Sequence, residues 1–345
     1  MIDLHYDLLT YIYMKIKKND IDYIKNHCRQ IYANNITGGI LNLFFMSKKE
    51  MEEELGIKED ELNVINMLRT VDEAIKKYNL IPNNNKFIYG IEGCDYLENP
   101  KDLEELYKLG IRSITPVWNQ TNKFGSGNRG DGGLTALGAE LIDTAVSLGI
   151  MIDLSHANSP TFWDIIKKCE NLKNQGKNPV VIASHSNCRE LCKKEPEYIN
   201  NREDAQKTLY YSRNLDDEQL LAIKKLNGIV GIVTVKGLTK LTINKLDTED
   251  KNNDNKYIES IKDQFKYLIK LFGDTKNIGV ATDDMRIYGE YLNSGYYLNS
   301  NQFLLKNVAG CIEELLKNIN CSNQEVKEIM YLNSENKLLQ ISQKA

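Results

Sequence analysis

The sequence predicts a closed (β/α)8 barrel, on three observations. About eight short β-branched and apolar runs recur along the chain, segments of helical period separate them, and no stretch between them reads as a domain linker. Strand alternating with helix calls for a parallel sheet, and eight such units favour a closed barrel over an open doubly wound sheet. The expectation is one α/β domain over residues 1–345, a TIM-like barrel with extra C-terminal helices.

The strand runs, in order, are Ile2 to Asp7, Ile36 to Phe45, Lys86 to Glu92, Ile111 to Trp118, Ile150 to Ser155, Pro179 to His185, Gly228 to Val235 and Asn277 to Asp283. Helical period with a polar outer face marks Glu61 to Tyr78, Leu103 to Leu109, Leu134 to Leu148, Pro160 to Cys169, Asp216 to Leu226 and Tyr257 to Phe272. Asp216 with Gln219 three residues later forms a capping-box pattern, and Gly149 and Gly273 stand where helices should stop. The polar stretch Leu246 to Lys256 reads as a solvated loop, and Asn301 to Asn318 and Asn323 to Leu339 read as two terminal helices outside the barrel.

Composition narrows the function classes. Hydrophobic residues make up 41% and charged residues 27%, enough apolar side chain for a core and too little charge bias for disorder. Lys plus Arg (44) against Asp plus Glu (48) leaves a net charge of −4, without the basic footprint that a nucleic-acid partner requires. No apolar run reaches the ~18 to 20 residues of a membrane span, and MIDLHYD is not a basic-then-apolar leader. A cytoplasmic address with no membrane partner is expected. The seven cysteines are odd in number and lack a C-x-x-C pair, which points to reduced, packed thiols and away from a disulfide framework or thiolate zinc site.

The chemistry collects at strand ends. Of four histidines, His5, His156 and His185 fall at the C-terminal ends of predicted strands, the face on which a (β/α)8 barrel gathers its active site. His5 and Asp7 are two apart on one strand and point the same way. Glu92 ends the third strand and Asp283 the eighth. Three imidazoles and three carboxylates without a thiolate suit zinc or another divalent first-row ion in a catalytic site. Two ions sharing one carboxylate accommodate this set better than one, and such a pair acidifies a bridging water and polarises a carbonyl, which is hydrolytic chemistry. His27, in a helical stretch with no second polar residue in register, is expected to be an ordinary surface or half-buried side chain.

The ordered set H-x-D, GIEG, DLSH, SHS, RNLDD and a strand ending in Asp283 resembles the membrane (renal) dipeptidase family of the amidohydrolase superfamily, over nearly the whole chain. The resemblance implies that His5, Asp7 and Glu92 hold one zinc and that Glu92, His156 and His185 hold the other. It further implies that Arg213 binds the substrate carboxylate and that Asp283 is the acid/base. Three departures stand out. Trp118 replaces a histidine that often contacts the carbonyl oxygen in the family, and Asp283-Asp284-Met285-Arg286 replaces the usual D-F-D-G. A polar insertion around Lys193 to Tyr211 separates His185 from Arg213, making Arg189 an alternative carboxylate binder. Arg213 could also be a helix-flanking surface arginine, Trp118 plain core, and Cys188 and Cys192 packing residues on a helix face.

The function implied is hydrolysis of a dipeptide by a dinuclear zinc site, with a homodimer left open. Two alternatives remain at this stage: another metal-dependent amidohydrolase acting on an N-acyl amino acid, a cyclic amide or a lactone, and a non-catalytic metal-binding relative.

Overall fold

The computed structural model describes residues 1–33, 35–45, 51–53, 56–81, 86–192, 211–235, 238–239, 251–283 and 307–342. Eight parallel strands close a barrel in sequence order: β1 (Ile2–Tyr6), β2 (Gly38–Phe44), β3 (Lys86–Glu92), β4 (Ile111–Thr115), β5 (Met151–Asp153), β6 (Val181–Ala183), β7 (Ile229–Val233) and β8 (Ile278–Ala281). The ring closes where Asp3 of β1 pairs with Val280 of β8. All eight strands lie inside the runs read from the sequence. Most are shorter than those runs, because Trp118, Ser155, His185 and Asp283 have already left the ladder and entered the loops that lead to the helices. Every residue of β1, β2, β7 and β8 is buried, as a parallel sheet covered on both faces demands.

The surrounding helices are α1 (Leu8–Lys17), α2 (Ile21–Ala33), α3 (Val64–Tyr78), α4 (Asp102–Lys108), α5 (Ala136–Leu148), α6 (Ser159–Asn174), α7 (Asp217–Lys225), α8 (Lys251–Phe272), α9 (Val308–Asn318), α10 (Asn323–Lys327) and α11 (Asn333–Ser342). The capping box of α7 forms as read: the Asp216 side chain accepts from Gln219 N–H, and the Gln219 side chain accepts from Asp216 N–H. Gly149 and Gly273 take the left-handed conformation that ends a helix.

Besides shifts of a few residues at helix ends, such as the helix read to Cys169 that continues to Asn174, two segments differ from the sequence reading. Helix α8 begins at Lys251, so the second half of the expected loop Leu246 to Lys256 is helical; its first half lies outside the described residues, as do 301–306. Lys, Asn and Asp carry no apolar period, so the added turn has no sequence signature. The last expected helix is α10 and α11 joined by a π-helical turn, Glu328–Leu332. Just beyond that turn, Asn333 Nδ2 donates to the carbonyls of Thr275 and Ile278, fastening the helix pair to the foot of β8.

The core has two parts. A large cluster lies between the strands and the helices, and a smaller one, with Ile2, Leu4, Ile40, Met151, Ile182 and Ile229, fills the barrel interior. Leu338 and Ile341 of α11 join the smaller cluster, and an ion pair between Glu335 and Lys86, the first residue of β3, ties α11 across the N-terminal end of the barrel. With that end stopped, the open mouth is the C-terminal face.

Candidate active site

Each expected ligand stands at the C-terminal end of its strand and is buried: His5 on β1 and Asp7 just after it, Glu92 on β3, His156 after β5 and His185 after β6. Glu92 lies among the imidazoles. Its Oε2 is 3.1 Å from His5 Nε2, while its Oε1 is 2.9 Å from His156 Nε2 and 3.3 Å from His185 Nε2. The rings of His5 and His185 are in contact, tilted 34° to each other with centroids 3.6 Å apart. Potential ligand atoms of His5, Glu92 and His185 fall within 4.8 Å of one another, and so do those of His5, Asp7 and Asp283.

The donor set fits divalent cations. Asp7 Oδ1 is buried 3.4 Å from His5 Nε2 and has no hydrogen-bond partner among the described residues, an arrangement that costs free energy unless a cation meets it. Three imidazole Nε2 atoms and three carboxylates around one small volume, with no sulfur, match a first-row divalent site.

Burial and mutual charge set the protonation states. Burial pushes Glu92 up to about 8, with His5 opposing and Asp7 adding to the rise. Burial also raises Asp283 to about 6, against the pull of His5 and with Asp7 reinforcing it. For His5, burial favours the neutral ring, but Glu92 and Asp7 outweigh it and hold the imidazole well above its usual value. His156 and His185 go the other way: burial lowers both well below the ordinary range, with His5 and Arg213 adding to the fall.

Backbone conformation singles out two of these residues. Among the described residues, the non-glycine positions with positive φ are five asparagines, His156 (φ 69) and Asp283 (φ 45). Asparagine and aspartate tolerate the left-handed region, whereas a histidine there costs on the order of 1–3 kcal/mol and persists only where the surroundings over-determine it. Both positions face the mouth; Asp283 is fixed there by its N–H, which donates to the carbonyl of His5 at 3.1 Å.

Arg213 is not a surface residue. It is 5% exposed and donates from Nη2 to the His185 carbonyl at 3.1 Å and from Nη1 to Ser186 Oγ at 3.3 Å, so the long sequence gap still returns it to the site. Arg189 is engaged elsewhere, with Asp216 at 3.0 Å and the Asn214 carbonyl at 2.9 Å. Residues 193–210 of the polar insertion and the stretch Asp284 to Arg286 lie outside the described residues. Trp118 is half-buried at the rim, edge-on to Phe44 at 5.2 Å and 5.9 Å from the His156 ring. Cys188 and Cys192 are packed away from the ligands; Gln264 Oε1 accepts from Cys188 N–H, and Cys192 Sγ lies beside the carbonyls of Leu238 and Thr239. His27 corrects its expectation: it is buried, with Nε2 2.6 Å from Tyr6 Oη and its ring edge-on to Tyr11. Tyr6 points out of the barrel between His5 and Asp7, so the His27 contact ties the back of that strand to α2.

Residues that sequence reasoning missed surround the ligands. Asn119 Oδ1 faces His156 Nδ1 at 2.9 Å, and Asn42 Nδ2 faces His5 Nδ1 at 3.0 Å. Asp153 and Ser184 form a buried pair behind His5 and His185, and Asp3 accepts from the N–H groups of His5 and Thr282. Signals for some were present: Asn42 is the polar break in an apolar strand run, Asp153 opens the DLSH motif, and Ser184 immediately precedes His185.

A sequence model of the membrane dipeptidases, peptidase family M19, matches residues 1–341. The chain belongs to the membrane dipeptidase family. Among curated relatives, an uncharacterized protein from the pqqA 5' region of Klebsiella pneumoniae is 36% identical over 151 residues, 41% of this chain and 46% of that protein. The dipeptidase verJ of Clonostachys rogersoniana is 24% identical over 251 residues, 71% of this chain and 53% of that one. The chain thus spans about half the length of the curated relatives it matches. Among solved membrane dipeptidase structures, the metallopeptidase dipeptidase AC superposes with a TM-score of 0.67 at 17% identity, covering 98% of this chain and 97% of that one. A metallopeptidase from Rhodobacter sphaeroides, liganded with a phosphinate mimic of L-Ala-D-Ala, superposes at 0.62 and 17% identity, covering 91% and 89%. These neighbours share the barrel.

Proposed function

We propose that the chain is a metal-dependent dipeptidase that hydrolyses the peptide bond of dipeptides with two divalent ions, zinc in this reading. His5, Asp7 and Glu92 would hold one ion and Glu92, His156 and His185 the other. The observation that carries the proposal is Glu92, whose Oε2 faces His5 while its Oε1 faces His156 and His185, so that each oxygen has its own histidine partners, as a shared ligand requires. When bound, such a pair supplies an acidified water and polarises the scissile carbonyl.

The rest follows from the chain's own groups. Asp283, held near neutrality by burial at about 6, is suited to take a proton at its carboxylate and return it to the departing amine. Arg213 spends two N–H donors on Ser186 and the His185 carbonyl, which aims the guanidinium and leaves further donors for a substrate carboxylate. A carboxylate bound at that distance from the ligands sets substrate length. Trp118 forms one wall of the pocket beside His156 and narrows what side chain fits there. We assign the enzyme a cytoplasmic address, in keeping with its seven free thiols, and a homodimer is the assembly to test by light scattering.

The test is elemental analysis of purified protein together with a panel of L,L and L,D dipeptides, N-acyl amino acids, cyclic amides and lactones. About two ions per chain and turnover confined to free dipeptides are expected. Hydrolysis of the other amides or lactones without dipeptide turnover would replace this reading with another amidohydrolase, and bound metal with no turnover would make the chain a non-catalytic relative.

A further inference from the structure

We propose that Ser184, anchored by Asp153, is a single positioning residue for both halves of the metal centre, orienting His5 and His185 together through one hydroxyl. The proposal rests on the metal-dependent reading above.

Asp153 ends β5 and is 2% exposed. Its Oδ1 accepts from Ser155 N–H at 3.0 Å and Ser184 N–H at 2.9 Å, and its Oδ2 accepts from Thr115 Oγ1 at 3.2 Å and from Ser184 Oγ. These four contacts come from β4, the turn after β5 and the turn after β6, so the carboxylate is locked by three parts of the barrel. Ser184 is wholly buried, and its backbone is held equally closely: a Cβ on Gly231 of β7 would lie 1.9 Å from the Ser184 carbonyl, so only glycine permits this approach.

A serine hydroxyl has one hydrogen and two lone pairs. The hydrogen goes to Asp153, leaving only acceptor capacity at Ser184 Oγ. Two ring nitrogens meet that oxygen: His185 Nδ1 at 2.7 Å and His5 Nδ1 at 3.0 Å. For both contacts to be hydrogen bonds, both Nδ1 atoms must carry the hydrogen. The Asn42 carboxamide, 3.0 Å from the same His5 Nδ1, then presents its oxygen there, which a half-turn of the amide provides. Nε2, which faces Glu92 on both rings, is then the nitrogen that would ligate an ion. His156 is held independently, its Nδ1 facing Asn119 Oδ1 at 2.9 Å. One hydroxyl therefore serves one ligand of each proposed ion, while the third imidazole has a support of its own.

The experiment reads metal binding and ring protonation, not peptide turnover. In wild-type protein labelled with ¹⁵N at histidine, only four imidazoles report. His5 and His185 are expected to carry a hydrogen on Nδ1 in both metal-free and zinc-loaded protein, and a bare Nδ1 on either overturns the proposal. In zinc titrations against a chromophoric chelator, Ser184→Ala and Asp153→Asn should each weaken both binding steps by ~10- to 100-fold, whereas Asn119→Ala should weaken one. Loss at a single step in both Ser184→Ala and Asp153→Asn, or no loss, overturns it as well. Should either variant fail to fold, the wild-type ring spectra decide alone. Wild-type protein that binds no zinc would defeat the metal-dependent reading, while the Nδ1 hydrogens still decide for or against the role of Ser184.

Discussion

The two sides of the site are built with opposite electrostatics. On the β1 side, His5 stands with Asp7 and Asp283, and carboxylates hold its imidazole well above the usual range. On the β5 and β6 side, the shared Glu92 is the carboxylate paired directly with His156 and His185 among the described residues, and burial with the nearby Arg213 and His5 keeps both rings well below it. The first side is made to receive positive charge. The second combines neutral imidazoles with a buried guanidinium, which suits an anionic end of a substrate. In the proposed function, Glu92, reaching both, would let one small pocket hold cations and an anion close together.

The largest expected effect comes from removing what the two sides share. Glu92→Gln should reduce bound metal from about two ions per chain and lower kcat/KM by on the order of 10³-fold or more, measured by elemental analysis beside dipeptide kinetics. Retention of two ions would show that each side is complete without Glu92. Next, Asp283→Asn should leave metal content nearly unchanged and lower kcat by roughly 10²-fold. Metal lost along with activity would make Asp283 a ligand of the β1 side, a possibility its grouping with His5 and Asp7 keeps sharp. On the opposite side, Arg213→Met or amidation of the dipeptide should each cost about 2 kcal/mol in kcat/KM, and the two losses should not add, since they remove one interaction. An amidated dipeptide cleaved as fast as the free acid would sink the dipeptidase reading.

The smallest effect is on stability in metal-free protein, and its sign differs between the sides. His156 and His185 have lowered values when folded, so their contribution is complete above the ordinary histidine value of 6.5 and is lost as pH falls below it. His5 has a raised value, so its contribution is complete below 6.5 and is lost as pH rises through the folded value. Denaturant titrations between pH 5 and pH 8 should therefore show a gentler acid loss in His185→Gln and a steeper one in His5→Gln. Identical slopes in the two variants would erase the electrostatic contrast.

Sequence periodicity reached the barrel because each strand is a short apolar run bounded by polar turns, a signal that survives without any tertiary knowledge. It overshot the strand ends because His185 and Asp283 continue the chain out of the ladder without a change of residue type. The convergence of the candidate ligands was readable for a similar reason: histidines and carboxylates at strand ends are few, and a closed barrel must bring strand ends together. Ser184 and Asp153 were not readable as partners of His5, since that contact joins positions 179 apart and exists only once the ring has closed. The burial of His27 was equally hidden, because its cover comes from Tyr6 and Tyr11, which its own helix does not predict.

The seal at the foot of the barrel has a consequence for how the molecule comes into being. The interior that begins with Ile2 and Leu4 is finished by Leu338 and Ile341, and Asp3 waits for Thr282, 279 positions later, before its carboxylate is satisfied. Contacts of such long separation form slowly, because much of the chain must be ordered before they are gained. A ribosome releasing this polypeptide strand by strand leaves an unclosed sheet with apolar edges until the final helices emerge. Completion of the ring then waits for β8 and the helices that follow it, and the candidate ligands of β1 are enclosed with those of β6 only when the sheet has closed.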